Sequence, residues 1–264
     1  MRQRIVPFVD HEIGFRFLDR LIQSSLDYNF DIPAVVTTKA NGSRWWPGVQ
    51  EMCVSNNLPL HIYEEFTDSD FYSLQADWIL LLSWKYMLAP HLIHVPKNGI
   101  INLHYSLLPR FRGVYPVNWS IIAGEKMSGF TFHFISESVD NGSIFMQVPV
   151  SIHLSDTART LQLRIDDAVI EHFDEFIHRL LAHEIQSIQE GEQIVQKKSQ
   201  DIYSVDKFRA VCALDLDASY RGIDFLNLLR GLSFFPNSRN AFYIDDSSGK
   251  KIFINLQLSD ESEG

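Results

Sequence analysis

The stretch Trp78 to Trp84, WILLLSW, limits what this chain can fold into more than any other segment. Seven residues interrupted only by Ser83 are far short of the roughly 20 that a membrane-spanning helix needs. They fit a strand buried on both faces, which is characteristic of a parallel sheet covered by helices. The surrounding sequence supplies both partners. Ile5 to Val9 reads as a strand, and Ile13, Phe17, Leu18, Leu21 and Ile22 follow at helical spacing. Ile32 to Thr38, Leu60 to Tyr63 and Gly99 to His104 read as further strands. A helix is predicted over Pro47 to Asn57, with Pro47 tolerated in its first turn. The alternation predicts an α/β, Rossmann-like fold: a mostly parallel twisted sheet flanked by helices.

Farther along, Val117 to Ala123 suits a short helix. Phe130 to Ile135 and Ser143 to Val150 suit strands joined by the Asp140-Asn141-Gly142 turn. A long helix, capped by Ser155 or Asp156 and running to about Glu184, places Leu161, Ile165, Ala168, Val169, Phe173, Phe176, Ile177 and Leu180 on one face. Beyond Gly191 the pattern changes. Lys197 to Tyr203 is linker-like, Tyr220 to Leu232 is helical, and Ala241 to Asp245 with Lys251 to Leu258 forms a hairpin around Ser247-Ser248-Gly249, before a frayed tail from Ser259. At roughly 150 residues per domain, 264 residues amount to one full domain plus an appendage. The expected division is a main domain over 1–190, then a linker and a small C-terminal α+β appendage over 191–264 that ends in the β-hairpin. So small an appendage holds little core of its own and is expected to pack on the main domain or on a second subunit.

Charge and cysteine usage narrow the partners. Against 33 acidic residues the chain sets 23 Lys and Arg, for a formal charge of −10, and it has no Lys/Arg-rich run. Nucleic acid and membrane are therefore not expected as partners, while a small anion held by a few placed cations stays open. Cys53 and Cys212 make no disulfide framework, and Asp10 and Glu12 break the N-terminal apolar stretch too early for a signal peptide, so a cytoplasmic location is expected. The chain contains no GxGxxG, P-loop, GxSxG, CxxC or HExxH motif. His91 and His94 are three apart, but no third ligand is nearby in sequence, so no metal is expected.

Chemistry concentrates in Ile101 to Gly113, INLHYSLLPRFRG. Asn102 and His104 are two apart in a predicted strand and share a face at its C-terminal end, where open α/β sheets bind ligands. Asp140 follows in the turn after the next strand. An amide that donates to an oxyanion, an imidazole that moves a proton and a carboxylate that orients it suit acyl transfer. The plainer reading of the same residues is a capped strand end with a satisfied histidine.

INLHYSLLPRFRG, followed by PVNWSIIAGE, SGFTFHF and SVDNGSIFMQ, resembles the folate-dependent formyltransferase family, whose marks are Asn-x-His at a strand end, an SLLP loop and an Asp in an xDxG turn. The resemblance implies Asn102, His104 and Asp140 as the catalytic trio, 10-formyltetrahydrofolate as donor and a primary amine as acceptor. It implies that Ser83, Trp84, Tyr86, Met87 and Leu88, with Ser136 and Val139 of the loop Ser136 to Asp140, bind the folate.

Among acceptors, the glycinamide ribonucleotide enzymes are shorter and have a glycine-rich N-terminal loop where this chain has Val9-Asp10-His11-Glu12-Ile13-Gly14. Methionyl-tRNA formyltransferases add a tRNA-gripping barrel, whereas an acidic chain with a short tail is a poor phosphodiester grip. The closest resemblance is to the nucleotide-linked amino sugar N-formyltransferases, with a dTDP- or GDP-linked 4-amino deoxyhexose as substrate, a role in O-antigen or lipopolysaccharide biosynthesis, and a homodimer. It implies Lys85 on the pyrophosphate, and a snorkelling side chain is the plain alternative for that residue. Arg110 and Arg112 suit phosphate or sugar hydroxyls, Tyr105, Ser106 and Tyr115 the sugar pocket, and Phe234 the base. Trp45 and Trp46 fit a surface loop anchor better than a base stack. A tRNA enzyme, a formyltetrahydrofolate hydrolase and a sugar-nucleotide binder with a dead site are the alternatives.

Overall fold

The computed structural model describes residues 2–39, 46–183, 201–234 and 240–258, with Trp46 and Pro47 described by their backbone alone. The expectations for Trp45, for most of the linker before Asp201, for the frayed tail and for the helix end at Glu184 lie outside the described residues. So do the side chain of Trp46 and any stacking by it.

The elements run in order β1 (Gln3–Val9), α1 (His11–Ser24), β2 (Phe30–Asp31), β3 (Val35–Thr37), α2 (Trp46–Ser55), β4 (Leu60–Ile62), α3 (Asp68–Ser73), β5 (Trp78–Leu82) and β6 (Gly99–His104). They continue as β7 (Arg112–Gly113), α4 (Pro116–Ile122), β8 (Met127–Phe134), β9 (Ile144–Ser151), α5 (Ala158–Glu171) and α6 (Phe173–Leu181). The last are β10 (Ile202–Tyr203), α7 (Val205–Cys212), α8 (Gly222–Gly231), β11 (Phe242–Ile244) and β12 (Lys251–Phe253). The main sheet has the order β4-β3-β1-β5-β6-β8-β9, with β2 also on β1. From β4 to β6 the pairing is parallel, and β8 pairs antiparallel with β6. The chain winds from β1 outward to β4, then crosses to β5 on the other side of β1. The carboxyl ends of β1 and β5 therefore flank the point where the winding reverses, the place at which such sheets open a ligand crevice.

Two compact units divide the chain: Met1–His104 with Thr131–Met146 and Val169–Gln193, and Tyr105–Phe130 with Gln147–Ala168 and Ile194–Gly264. In the first, Trp78 to Leu82 are all buried, as the apolar run requires of a central parallel strand. One side of the sheet packs Val6, Phe8, Ile79 and Leu81 against Ala34, Val36, Phe71 and Leu74. A ring cluster of Phe17, Phe132, Phe145, Phe173 and Phe176, with centroids 4.1 to 6.0 Å apart in its closest pairs, forms a second part of the core. In the second unit, Phe111, Trp119, Phe208, Leu232 and Ala241 share a smaller core. Arg230, 3 % exposed, donates to the Asp156 carbonyl and to Asn227 Oδ1. Burial lowers its pKa, and the neighbouring Asp156 charge works against that shift.

Local departures from the sequence reading have physical causes. The single helix expected over 156–184 is two, α5 and α6, separated at His172 (φ −93°, ψ 12°); the buried face of Ile165, Val169, Phe173 and Phe176 runs on across the break, which is why the sequence reads as one helix. Its first turn is held by Thr157, which accepts from Thr160 N at 3.3 Å. Asp156 instead takes bonds from His153 N and Arg164. The strand expected over Ile32 to Thr38 shortens to β3, since Pro33 removes a ladder donor.

Candidate active site

Strand β6 delivers Asn102 and His104, and its antiparallel partner β8 sets His133 opposite Asn102 and Thr131 opposite His104. Along β8, Thr131 and His133 alternate with Phe130, Phe132 and Phe134, so the two polar residues share the face that period-2 geometry dictates. The chain then turns through residues 135–143 and brings Asp140 back with a left-handed backbone (φ 45°), a conformation Asp tolerates better than most residues. Gly142 closes the turn against β8: a Cβ there would lie 1.7 Å from the Phe134 carbonyl oxygen.

That carbonyl also fixes a tautomer. The His133 Nδ1 lies 2.9 Å from Phe134 O, an acceptor only, so Nδ1 carries the hydrogen. In the neutral ring Nε2 then accepts from Asn102 Nδ2 at 3.1 Å. One Asn102 N–H is thereby committed and the amide is oriented, which leaves the second N–H for a developing negative charge. The Asp140 carboxylate lies between the two imidazoles, with Oδ2 3.5 Å from His104 Nδ1 and Oδ1 3.5 Å from His133 Nε2. His104 is 6 % exposed and His133 1 %, so the carboxylate meets both rings largely out of reach of solvent. The three residues expected from sequence thus converge, together with His133, which the sequence reading passed over. Its signal was present: a histidine on the polar side of an otherwise phenylalanine-rich strand.

Beside this group, β5 ends at Leu82 and Ser83 takes a left-handed turn (φ 56°). Trp84 packs edge-on to Phe8 and Tyr63, and Tyr63 stacks on Tyr86 at 5.0 Å. Tyr86 donates to Glu64 at 2.7 Å, a bond that raises the phenol's pKa and helps hold the carboxyl's low. Met87 is exposed and Leu88 buried. The indole Nε1 of Trp84 is buried and has no hydrogen-bond partner among the described residues. The aromatic edge of Trp84, Tyr63 and Tyr86 packs on the same apolar cluster as Ile135, where the 135–143 loop begins, and such an edge suits a flat heteroaromatic ring. Lys85 does not simply snorkel: its Nζ donates to Thr38 Oγ1 at 3.0 Å and lies 3.2 Å from Asp10 Oδ2.

Residues 20–177 match the family model described as formyl transferase, and residues 207–260 match the N-formyltransferase dimerization C-terminal domain. The chain belongs to the formyl transferase family. It is 33% identical over 196 residues to the methionyl-tRNA formyltransferase of Fusobacterium nucleatum, a match covering 72% of this chain and 60% of that enzyme. To the enzyme of that name from Clostridium perfringens strain 13 it is 30% identical over 251 residues, covering 90% of this chain and 77% of that one. The fold is shared with a sugar N-formyltransferase from a Shewanella species, at TM-score 0.78 and 23% identity, covering 97% of this chain and 98% of that one. It is shared too with a 4-N formyltransferase from Francisella tularensis, at TM-score 0.76 and 21% identity, covering 98% of each chain.

The other residues expected to meet substrate in this formyl transferase lie in the second unit. Tyr105 donates to Asp166 Oδ1 at 2.6 Å, and Asp166 is itself 3 % exposed. Ser106 is fully buried, and its hydroxyl donates to the Arg110 carbonyl, which makes it a brace of the loop. Arg110 forms a two-pronged pair with Glu125 and lies over Phe111, so binding phosphate would require it to leave Glu125. Arg112 sits in β7, paired with β10. Tyr115 stands in a left-handed conformation before α4, its ring 4.4 Å from Phe208. Phe234 lies under the Arg159 guanidinium, and the adjacent Phe235-Pro236 is outside the described residues. Among the described residues no cluster of His, Cys, Asp and Glu suits a metal ion. No described helix is long and apolar enough to cross a membrane.

Proposed function

We propose that this chain transfers a formyl group from 10-formyltetrahydrofolate to the primary amine of an amino deoxysugar carried on a nucleoside diphosphate. A dTDP- or GDP-linked 4-amino-4,6-dideoxyhexose is the first candidate, in a step of surface glycan synthesis. The observation that carries formyl transfer is the Asp140 carboxylate set between His104 and His133, with the Asn102 amide oriented by His133.

The folate, when bound, supplies an activated formyl carbon and a nitrogen leaving group. The free N–H of Asn102 and the His104 ring receive the negative charge that develops on the formyl oxygen as the neutral amine attacks. The Asp140 carboxylate beside its Nδ1 keeps the His104 ring oriented. It also accepts, directly or through a water, the proton shed by the attacking nitrogen. That proton ends on the folate nitrogen as the carbon–nitrogen bond breaks, giving a formamide and tetrahydrofolate. The partly buried rings of Trp84 and Tyr63 give the folate an apolar edge to pack on.

The substrate class is supported by structural likeness over nearly the whole chain to proteins described as sugar N-formyltransferases, and by the C-terminal match at residues 207–260. A related N-formyltransferase from Helicobacter canadensis is described in complex with folinic acid and dTDP-3-aminofucose. The second reading, a tRNA enzyme, rests on the names of the curated relatives. Against it stands a charge of −10, since tRNA affinity rests on neutralising many phosphates. The test is to incubate the protein with 10-formyltetrahydrofolate and a panel of nucleotide-linked amino sugars, with charged initiator tRNA and an amine-free control in parallel. A mass gain of one formyl group on a sugar is expected. Formylation of the tRNA alone, or folate turnover without an amine, would replace this reading with one of the other two.

A further inference from the structure

Lys85, Asp10 and Thr38 form a closed triangle at the carboxyl ends of β5, β1 and β3. Lys85 Nζ donates to Thr38 Oγ1 at 3.0 Å, Thr38 Oγ1 donates to Asp10 Oδ2 at 3.2 Å, and Nζ lies 3.2 Å from the same Oδ2. Asp10 has a second duty as the N-cap of α1, where its Oδ1 accepts from His11 N at 2.8 Å. His11 and Ser83, both with left-handed backbones, join across the same rim through a 3.2 Å contact between Ser83 Oγ and His11 Nδ1. The triangle therefore stands at the reversal of the sheet winding, one strand from the β6 end that carries Asn102 and His104.

Its two charges differ in access. The Asp10 side chain is 7 % exposed and the Lys85 side chain 37 % exposed, so an approaching ligand meets the ammonium first and the carboxylate behind it. Asp10 already occupies the end of α1 that would otherwise attract an outside anion. It also neutralises the one cation that its triangle presents. We infer that Asp10 is an internal stand-in for the substrate's phosphate: it holds Lys85 in place while the site is empty and competes with the incoming anion for that ammonium.

This rests on the reading of the substrate as a nucleoside diphosphate conjugate, and it makes Asp10 a residue that sets affinity for the anion without touching the reacting atoms. A carboxylate within one ion diameter of a bound phosphate repels it, so removing the charge strengthens binding, whereas a merely structural role for Asp10 would weaken it.

The experiment measures binding of dTDP, GDP and UDP, and separately of 5-formyltetrahydrofolate with and without its glutamate tail, by calorimetry. Asp10→Asn and Asp10→Ser are the test variants, since both residues cap helices as well as Asp and leave α1 supported. The expected result is nucleoside diphosphate binding several-fold tighter in both variants, folate binding unchanged, and no gain when Lys85→Met is added. Unchanged or weaker nucleotide binding in a folded Asp10 variant, or a gain that survives Lys85→Met, overturns the inference and leaves the substrate class standing. A gain confined to the folate carrying its glutamate tail would assign Lys85 to that carboxylate, and so also overturns it. Failure of all three nucleotides to bind the unaltered protein overturns the substrate class along with the inference.

Discussion

Asp140 stands 3.5 Å from a nitrogen of each of two buried imidazoles, a spacing too long for a direct hydrogen bond yet close for a charge. In the proposed mechanism its negative charge, more than its shape, does the chemistry. Asp140→Asn is accordingly expected to lower kcat by about 10²- to 10⁴-fold with KM for both substrates changed by no more than a few fold. Steady-state kinetics checks it, and a parallel rise in KM would mean that Asp140 binds substrate instead. His133 is bonded to the Asn102 amide, and in the proposed mechanism it acts by orienting that amide. Replacing His133 with Gln, which can still donate to the Phe134 carbonyl but offers no ring nitrogen to the Asn102 amide, is expected to lower kcat by about 10- to 100-fold in a protein that remains folded. The two cysteines lie at the other extreme. Burial pushes both Cys53 and Cys212 up to about 11, so both remain neutral thiols throughout the physiological range and become thiolates only as pH nears that value. Neither is expected to react with a thiol reagent at neutral pH in the folded protein, and both should react once it is denatured. Rapid modification of the native protein would contradict their burial.

At the scale of elements, the position of the site depends on one tight return. The Phe134 carbonyl accepts from His133 Nδ1, while its own N donates to Ser143 O at 2.9 Å and Gly142 presses against the same carbonyl. A methyl at residue 142 has no room, so Gly142→Ala must push the 135–143 loop away from β8, carrying Asp140 with it. Activity is expected to fall by at least tenfold while the melting temperature changes far less than activity does, measured by turnover and thermal unfolding on one preparation. The elements on which the site stands were legible because their signals are strong and local. The apolar run of β5 and the Asn-x-His end of β6 are readable by period alone, and β6 has the bounds expected, Gly99 to His104. Two short helices were not read. Helix α3 is six residues held by a Thr67 capping box, and α7 buries only Phe208 and Cys212, so neither shows a sustained apolar stripe. His133 was hidden for another reason. Its importance comes from register with Asn102, and cross-strand register depends on the partner strand as well as its own. The Asp10 to Lys85 pairing was unreadable in the same way, being a contact between residues 75 apart in the chain.

For the whole molecule, the second unit poses the remaining question. Its hairpin pairs Phe242 with Phe253, Tyr243 with Ile252 and Ile244 with Lys251, and a two-stranded ribbon of this kind is marginal on its own. Phe242 packs on the core of that unit, but Ile244, Ile252 and Phe253 stay 55%, 40% and 39% exposed. Leu216, Tyr220 and Ile223 add further exposed apolar surface in the same unit. An acidic chain that leaves β-branched and aromatic residues on an unprotected strand pair gains by covering them with a second copy across a twofold axis. A homodimer through this unit is therefore expected, consistent with the dimerization domain that residues 207–260 match. Sedimentation equilibrium should give twice the mass of the 30.5 kDa chain at micromolar concentration. Ile252→Lys should shift it to the monomer, since a charge placed opposite Tyr243 interrupts an apolar contact without disturbing the ladder hydrogen bonds. Because Asn102, His104, His133 and Asp140 all lie in the first unit, that monomer is expected to keep most of its turnover. A monomeric unaltered protein would remove the assembly, whereas a monomeric variant without activity would mean that the partner subunit completes the site.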